Sequence, residues 1–355
     1  MVTVTPTPNG FRFIEVCAGA GGLSSGFIEA GFAPLMLNEV DKVCCETLRL
    51  NHPGVPVVCQ DMRELHLTDY RGQVDVLMGG VPCQAFSHAG LRKGLEDPRG
   101  QLMLEMNRLI VECEPRMILI ENVKGLVSHQ EGRTLKALLD LFANNGVYKM
   151  TYKVLNANHY SVPQKRERIM IVGIRQPTSP SFTTSPEAQS FTTSPSFEFP
   201  EKHATTLVLR DVLKDVPPSL GATYPEAKRR VMDLVPQGGC WVDLPEDIQA
   251  TYMGASLDAG GGKRGMARRL SMNEACLTLT TSPCQKQTER CHPLETRPLT
   301  VREYARIQTF PDTYTFAGSM ASQYKQIGNA VPVELAKAMA GAIQRFLRMH
   351  IYNSY

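Results

Sequence analysis

Phe13-Ile-Glu-Val-Cys-Ala-Gly-Ala-Gly-Gly22 is the stretch on which the fold turns: an apolar run ends in a cluster of three glycines, and amphipathic Ser24–Ala30 follows. A strand entering such a turn can bring its backbone close to a ligand, because glycine has no Cβ to hold it off. The helix behind the turn offers unpaired N–H groups to the same ligand. Outward from there, apolar runs of strand character recur at Pro34–Asn38, Val55–Cys59, Val74–Met78, Met117–Ile120 and Ile169–Ile174. Amphipathic stretches at Lys42–Leu50, Gln101–Cys113 and Arg133–Asn144 separate them. Strands so continuously apolar are covered on both faces. The alternation predicts an α/β fold with a doubly wound, Rossmann-like sheet.

Acidic residues end the second and third strands, Glu39 and Asp61. Acids at consecutive strand ends point to an adenosine-containing ligand in the crevice at the carboxyl edge of the sheet. The turn lacks G-x-G-x-x-G spacing, which counts against a dinucleotide, but NAD, FAD and S-adenosylmethionine all remain open at this level.

Gly79-Gly-Val-Pro-Cys-Gln-Ala-Phe-Ser87 sets Cys83 just past a strand, on the ligand side, with Pro82 stiffening the approach. An isolated cysteine is more often inert packing; its place at the mouth of a crevice reverses that reading. The polar, glycine-containing stretch from Gln84 to Gly100 reads as a lid loop. Another strand delivers Glu121-Asn122-Val123 to the same edge, where a carboxylate is ordinarily a solvated end or a cap. In Gln164-Lys165-Arg166-Glu167-Arg168, arginines at i and i+2 of an extended segment face the same way. By itself that is a charged strand edge.

Composition sets bounds. The chain has 355 residues, 43% hydrophobic and 21% charged, with a formal charge of +3, too small to name a partner. That is an ordinary globular composition. No apolar run approaches the roughly 18–20 residues that cross a bilayer. Ten cysteines, scattered and without a secretory signal, read as free thiols in a reducing cytoplasm. Cys284, Cys291 and His292 lack the paired spacing of a zinc site, and no metal is expected. The βα pattern stops at Gln176. Residues 1–175 form one domain, completed by 312–355. SFTTSP, at 181–186 and again at 190–195, marks a Ser/Thr/Pro linker or loop over 176–198. Residues 199–296, irregular and rich in Pro and Gly, form a smaller domain, and 297–311 a hinge segment.

VCAGAGG (Val16–Gly22), GGVPCQAFS (Gly79–Ser87), ENV (Glu121–Val123), QKRERI (Gln164–Ile169) and QIGNAVP (Gln326–Pro332) together resemble the DNA (cytosine-5) methyltransferase family, of bacterial restriction-modification type, in the same order and at similar spacing. RPLTVREYARIQTFP (Arg297–Pro311) also looks like the family's pattern, and the match covers roughly residues 11–175 and 297–340. The resemblance implies an S-adenosylmethionine-dependent enzyme with a target-recognition domain. Cys83 would be the thiolate that adds to carbon 6 of cytosine, Glu121 would contact N3 and the exocyclic amine, and Arg168, with Arg166 alongside, would hold O2 and nearby backbone. The base would have to leave the duplex. Cofactor contacts would come from Cys17, Ala20, Gly22, Glu39, Val40, Asp61, Met62, Pro82, Leu102 and Asn329. Many family members carry an aromatic in place of Cys17, some a Trp in place of Val40, and Asp is commoner than Glu15, so the adenine packs differently here.

Target reading falls to the smaller domain by position, with Gln84, Ser87 and Arg99 of the lid approaching DNA beside it. Lys263, Arg264, Arg268, Arg269, Lys286 and Arg290 cluster there with few acids, a patch suited to phosphates or simply a solvated face. Thr278-Leu279 resembles a pair that the family places beside the target strand. Gln285 and Arg290 suit base edges. The partner expected is double-stranded DNA, with a cognate restriction endonuclease in the same system, no membrane and a monomeric state in a bacterial cytoplasm. Three rivals stand beside this reading. A tRNA cytosine methyltransferase shares the motifs, but Cys276-Leu277-Thr278 is a poor match to that subgroup's Cys-Phe-Thr. A silent DNA-binding homologue would not need Cys83, Glu121 and Arg168. A nicotinamide oxidoreductase leaves PCQ and ENV unexplained.

Overall fold

The computed structural model describes residues 8–82, 98–177, 196–257 and 264–351, without the side chains of 98–100 and 351. Strands β1 (Arg12–Val16), β2 (Ala33–Glu39), β3 (Val57–Cys59), β4 (Val76–Gly79), β5 (Met117–Val123), β6 (Tyr148–Asn156) and β8 (Glu167–Arg175) build one seven-stranded sheet, ordered β3-β2-β1-β4-β5-β8-β6. The β3-β2-β1-β4-β5 pairings are parallel, while β8 runs antiparallel to both β5 and β6. This is the α/β architecture that the apolar runs predict. β7 (Gln164–Lys165) leaves the large sheet to pair in parallel with β9 (Cys276–Leu277) from the second half of the chain.

Alternation along β1 explains the two-sided core. Phe13 packs on one face with Phe27, Leu335, Met339 and Ile343. Ile14 packs on the other with Leu77, Met106, Ile110, Leu135 and Leu138. The first face is covered by α1 (Gly22–Glu29) and the long C-terminal α10 (Val333–Ile351), whose contact is close: a Cβ on Gly26 would lie 2.5 Å from that of Ala336. On the second face lie α3 (Pro98–Cys113) and α4 (Arg133–Ala143), whereas α2 (Lys42–Asn51) is capped by Asp41, which accepts from Val43 and Cys44 N–H.

β6 is absent from the sequence expectation. It is the sheet's last strand, with Lys149 and Lys153 among its residues and only its ends buried, so it lacks the apolar run that marks the inner strands. Within 199–296, the short α5 (Leu209–Val212) buries Leu209 beside Leu299, Val301 and Tyr304, while α6 (Glu226–Asp233) and α7 (Glu246–Met253) close over a small core of Met232, Val235, Leu244, Ala267 and Cys291. α8 (Val301–Ile307) and α9 (Met320–Asn329) then lead back to α10. Both SFTTSP copies lie outside the described residues.

Candidate active site

The first turn is wound by left-handed backbone at Cys17, Gly19 and Gly21, with φ of 52°, 54° and 77°. Its conformation is clipped from the next strand. Glu39 accepts from Gly19 N–H at 2.8 Å through Oε2, and from Val40 and Asp41 N–H at 2.8 and 2.9 Å through Oε1. Behind the turn there is no room: a Cβ on Gly22 would sit 2.2 Å from the Val331 carbonyl. The Tyr314 hydroxyl donates to the Ala20 carbonyl at 2.6 Å. In front, Gly19 faces open space.

The other predicted cofactor residues surround that open side to different degrees. Met62 is buried against Cys17, Sγ to Sδ 3.6 Å. Asp61 is held by Arg63 (Nη2–Oδ2 2.6 Å), whose hydrogen bonds draw its carboxyl below the usual range. Val40 is 63% exposed. Pro82 and Asn329, the last residue of α9, are exposed, and Leu102 is half-buried.

Glu15 sits under this turn, fully buried on β1, and burial pushes its carboxyl up to about 8. At neutral pH it is therefore largely an acid rather than a carboxylate. A native pKa above the unfolded one means that the folded chain holds the extra proton. Its contribution to stability is full below about 4.5, falls as pH rises, and is lost above about 8. Glu15→Gln, a permanent mimic of the neutral acid, should flatten the decline of Tm across that interval in melts at successive pH values. An unchanged pH profile would show that Glu15 is ionised in the fold.

Glu121 lies two residues before the end of β5, with its Oε1 2.9 Å from Arg168 Nε on β8; the two side chains are 12% and 14% exposed. Burial raises the Glu121 carboxyl above its usual value, against the pull of Arg168 and Arg166. The strand leading to Cys83 runs alongside. A Cβ on Gly80 would lie 3.3 Å from Glu121 Oε2, and Asn122 Nδ2 donates to the Val81 carbonyl at 2.8 Å. Cys83, Gln84, Ser87 and Lys263, and the side chain of Arg99, lie outside the described residues.

Three arginines differ from expectation. Arg166 is near enough to act on both Arg168 and Glu121, but it falls between β7 and β8, where the two-residue alternation is interrupted, and its side chain is 1% exposed. Its guanidinium spends itself on backbone carbonyls of Leu279, Gly328 and Ala330. Arg269 is likewise buried, donating to the Val235 and Met232 carbonyls and to Thr296. Arg290, also buried, donates twice to the Thr278 carbonyl, so neither belongs to an open patch. Arg268 is partly covered and 3.7 Å from Glu274. Arg264, Gln285 and Lys286 remain exposed, and Thr278 donates to the Lys165 carbonyl. Among the described residues no cluster of potential ligands could hold a metal, and no helix is long and apolar enough to cross a membrane.

Comparison with known proteins bears on this geometry. The family model described as C-5 cytosine-specific DNA methylase matches residues 11–345. Type II methyltransferase M.Eco47II of Escherichia coli is 48% identical over 96% of this chain and 80% of its own length. M.Sau96I of Staphylococcus aureus is 48% identical over 95% of this chain and 76% of its own. Among solved structures, a putative DNA modification methyltransferase from an E. coli prophage superposes with a TM-score of 0.66 at 24% identity, covering 96% of this chain and 100% of that one.

Proposed function

This chain belongs to the C-5 cytosine-specific DNA methylase family and is a DNA (cytosine-5) methyltransferase; from that premise we propose that Cys83, Glu121 and Arg168 carry out the reaction on an extruded cytosine. The observation that carries the assignment is the nearness to Glu121 of the chain leading out of β4: a Cβ on Gly80, three residues before Cys83, would lie 3.3 Å from Glu121 Oε2, and Arg168 holds the carboxylate.

Carbon 5 of cytosine is too weak a nucleophile to take a methyl group unaided. Addition of the Cys83 thiolate to carbon 6 places a pair of electrons on carbon 5, the logic of covalent catalysis. Glu121, raised above the ordinary carboxyl range by burial, is suited to hold a proton at ring N3 as sulfur adds. Arg168 fixes that carboxyl and faces O2. After methyl transfer, loss of the carbon 5 proton and then of sulfur restores the aromatic ring. A base within the helix cannot reach this edge, so the nucleotide turns out of the stack.

S-adenosylmethionine, when bound, supplies the methyl group. The residues fit it: an open glycine face, a carboxylate at the end of β2 and buried Met62 form a crevice at the carboxyl edge of the sheet. Cys17, Ala20, Gly22, Glu39, Val40, Asp61, Met62, Pro82, Leu102 and Asn329 would line it. Arg264, Thr278, Gln285 and Lys286, together with Gln84, Ser87, Arg99 and Lys263, would meet double-stranded DNA, and Arg268 would join them on leaving Glu274. The relatives' type II names favour a partner endonuclease of the same specificity.

Bisulfite sequencing of DNA from cells expressing the protein tests the reading and yields the recognition site. One methylated cytosine in a fixed sequence context is expected. Labelling of tRNA but not of duplex DNA in parallel assays would overturn it.

A further inference from the structure

We propose that Gln164, Arg166 and Gln308 form a buried polar coupling that locks the target-reading segment 278–281 to the catalytic strand, so that target recognition and alignment of the Glu121–Arg168 pair are one event. The inference rests on the function proposed above.

The peptide of Leu279 is gripped from both sides. Its N–H donates to Gln164 Oε1 at 2.9 Å, and its carbonyl accepts from Arg166 Nη1 at 3.1 Å. At its other end, Gln164 Nε2 donates to Gln308 Oε1 at 2.7 Å. Gln308 Nε2 in turn donates to the Ile327 and Ala330 carbonyls at 2.7 and 3.0 Å. Arg166 Nη2 closes the circuit on Gly328 and Ala330 carbonyls at 2.9 and 3.1 Å. All three side chains are buried. Around them the backbones are already tight: β7 pairs with β9, and a Cβ on Gly328 would lie 2.1 Å from the Thr280 carbonyl.

The position of this circuit gives it its meaning. Two residues beyond Arg166 stands Arg168, bonded to Glu121; one residue before Leu279 is Thr278; and Asn329 lies between Gly328 and Ala330. A shift of segment 278–281 must therefore move the backbone that carries Arg168, or break buried hydrogen bonds. Arg166 is also a costly way to fill a core. Among the described residues its guanidinium bonds to carbonyls alone, and burial lowers its pKa to about 9. Taking a guanidinium out of water is costly unless every part of it is paired and hydrogen-bonded. A plain packing role leaves that cost unexplained, whereas a directional link between reading and chemistry needs fixed hydrogen-bond geometry.

The test uses the full chain and duplexes containing 5-fluorocytosine at the methylated position, one with the recognition sequence and one with a single mismatch. Trapping rates on both, cofactor affinity by titration and Tm are measured for wild type and for Gln164→Ala. Breaking this circuit leaves buried partners unpaired, a loss equivalent to at least about tenfold. The variant should trap the matched duplex at least about tenfold more slowly and lose at least about threefold of its discrimination against the mismatch, with cofactor affinity changed less than about threefold. Equal slowing on both duplexes, or no slowing, overturns the coupling. Should Gln164→Ala give no cooperative melt, Gln164→Glu keeps the size and the acceptor for Leu279 N–H while removing the donor to Gln308, and is judged by the same two ratios. Wild type that traps neither duplex refutes the assigned function instead.

Discussion

Cys83→Ser is expected to abolish methyl transfer and to leave no covalent complex with a 5-fluorocytosine duplex, while binding of cofactor and DNA survives. The expected loss exceeds about 10^4-fold, the scale seen when a sole nucleophile is removed from an enzyme. A serine hydroxyl is ionised far less than a thiol at neutral pH and no general base stands in the proposal to relieve it, so addition to carbon 6 stops. The other described cysteines offer no substitute; Cys45, Cys240 and Cys291 are buried. Burial drives Cys17, Cys44, Cys113 and Cys276 up to about 12, with Glu39 and Glu15 adding to the effect at Cys17. Cys284 is pushed to about 11. Cys59 is exposed but sits on the outermost strand of the sheet. Thiols held so far above neutral pH are not nucleophiles. Denaturing gels of the variant with fluorinated duplex give the answer; a retained shifted band would mean that another group attacks the base.

The sequence carried much of this site because its parts follow rules of local chemistry. Inner parallel strands are covered twice and show as apolar runs, so their ends, and with them Glu39, Asp61 and Glu121, could be placed on one edge. β6 could not, since an edge strand with one polar face has no such run. Arg166 and Arg168 illustrate a subtler limit. Alternation predicts a shared face for residues two apart, but the break between β7 and β8 falls at Arg166 and turns it toward Leu279. Arg269 and Arg290 fail for another reason: nothing in a sequence distinguishes an arginine that meets phosphate from one that ties down carbonyls of distant segments. Gln164, Gln308 and Tyr314 were missed altogether. Gln164 and Gln308 each lay in a quoted stretch, but long-range pairs such as theirs leave no periodic signal.

Glu121→Gln is the second large effect, and it separates binding from chemistry. The amide keeps the shape of the carboxyl and can still meet the exocyclic amine, so duplex affinity should change by less than about threefold, whereas kcat should fall by about 10^2–10^4, the contribution of a positioned acid. The physical basis is the conflict at this residue. Burial favours the protonated form and Arg168, 2.9 Å away, favours the charged one, with burial prevailing in the free protein. A group balanced in this way gives up or takes a proton at small cost as charge builds on the ring, which an amide cannot do. The sign of the pH dependence follows. Thiolate formation makes the rate rise with pH, and loss of the Glu121 proton makes it fall as pH passes that group's raised pKa, giving a bell-shaped profile for the wild type. Glu121→Gln should retain the rising limb and lose the falling one. Single-turnover rates measured across the pH range decide the matter: a variant that keeps both limbs, or loses affinity for DNA as much as rate, would show that Glu121 only holds the base in place.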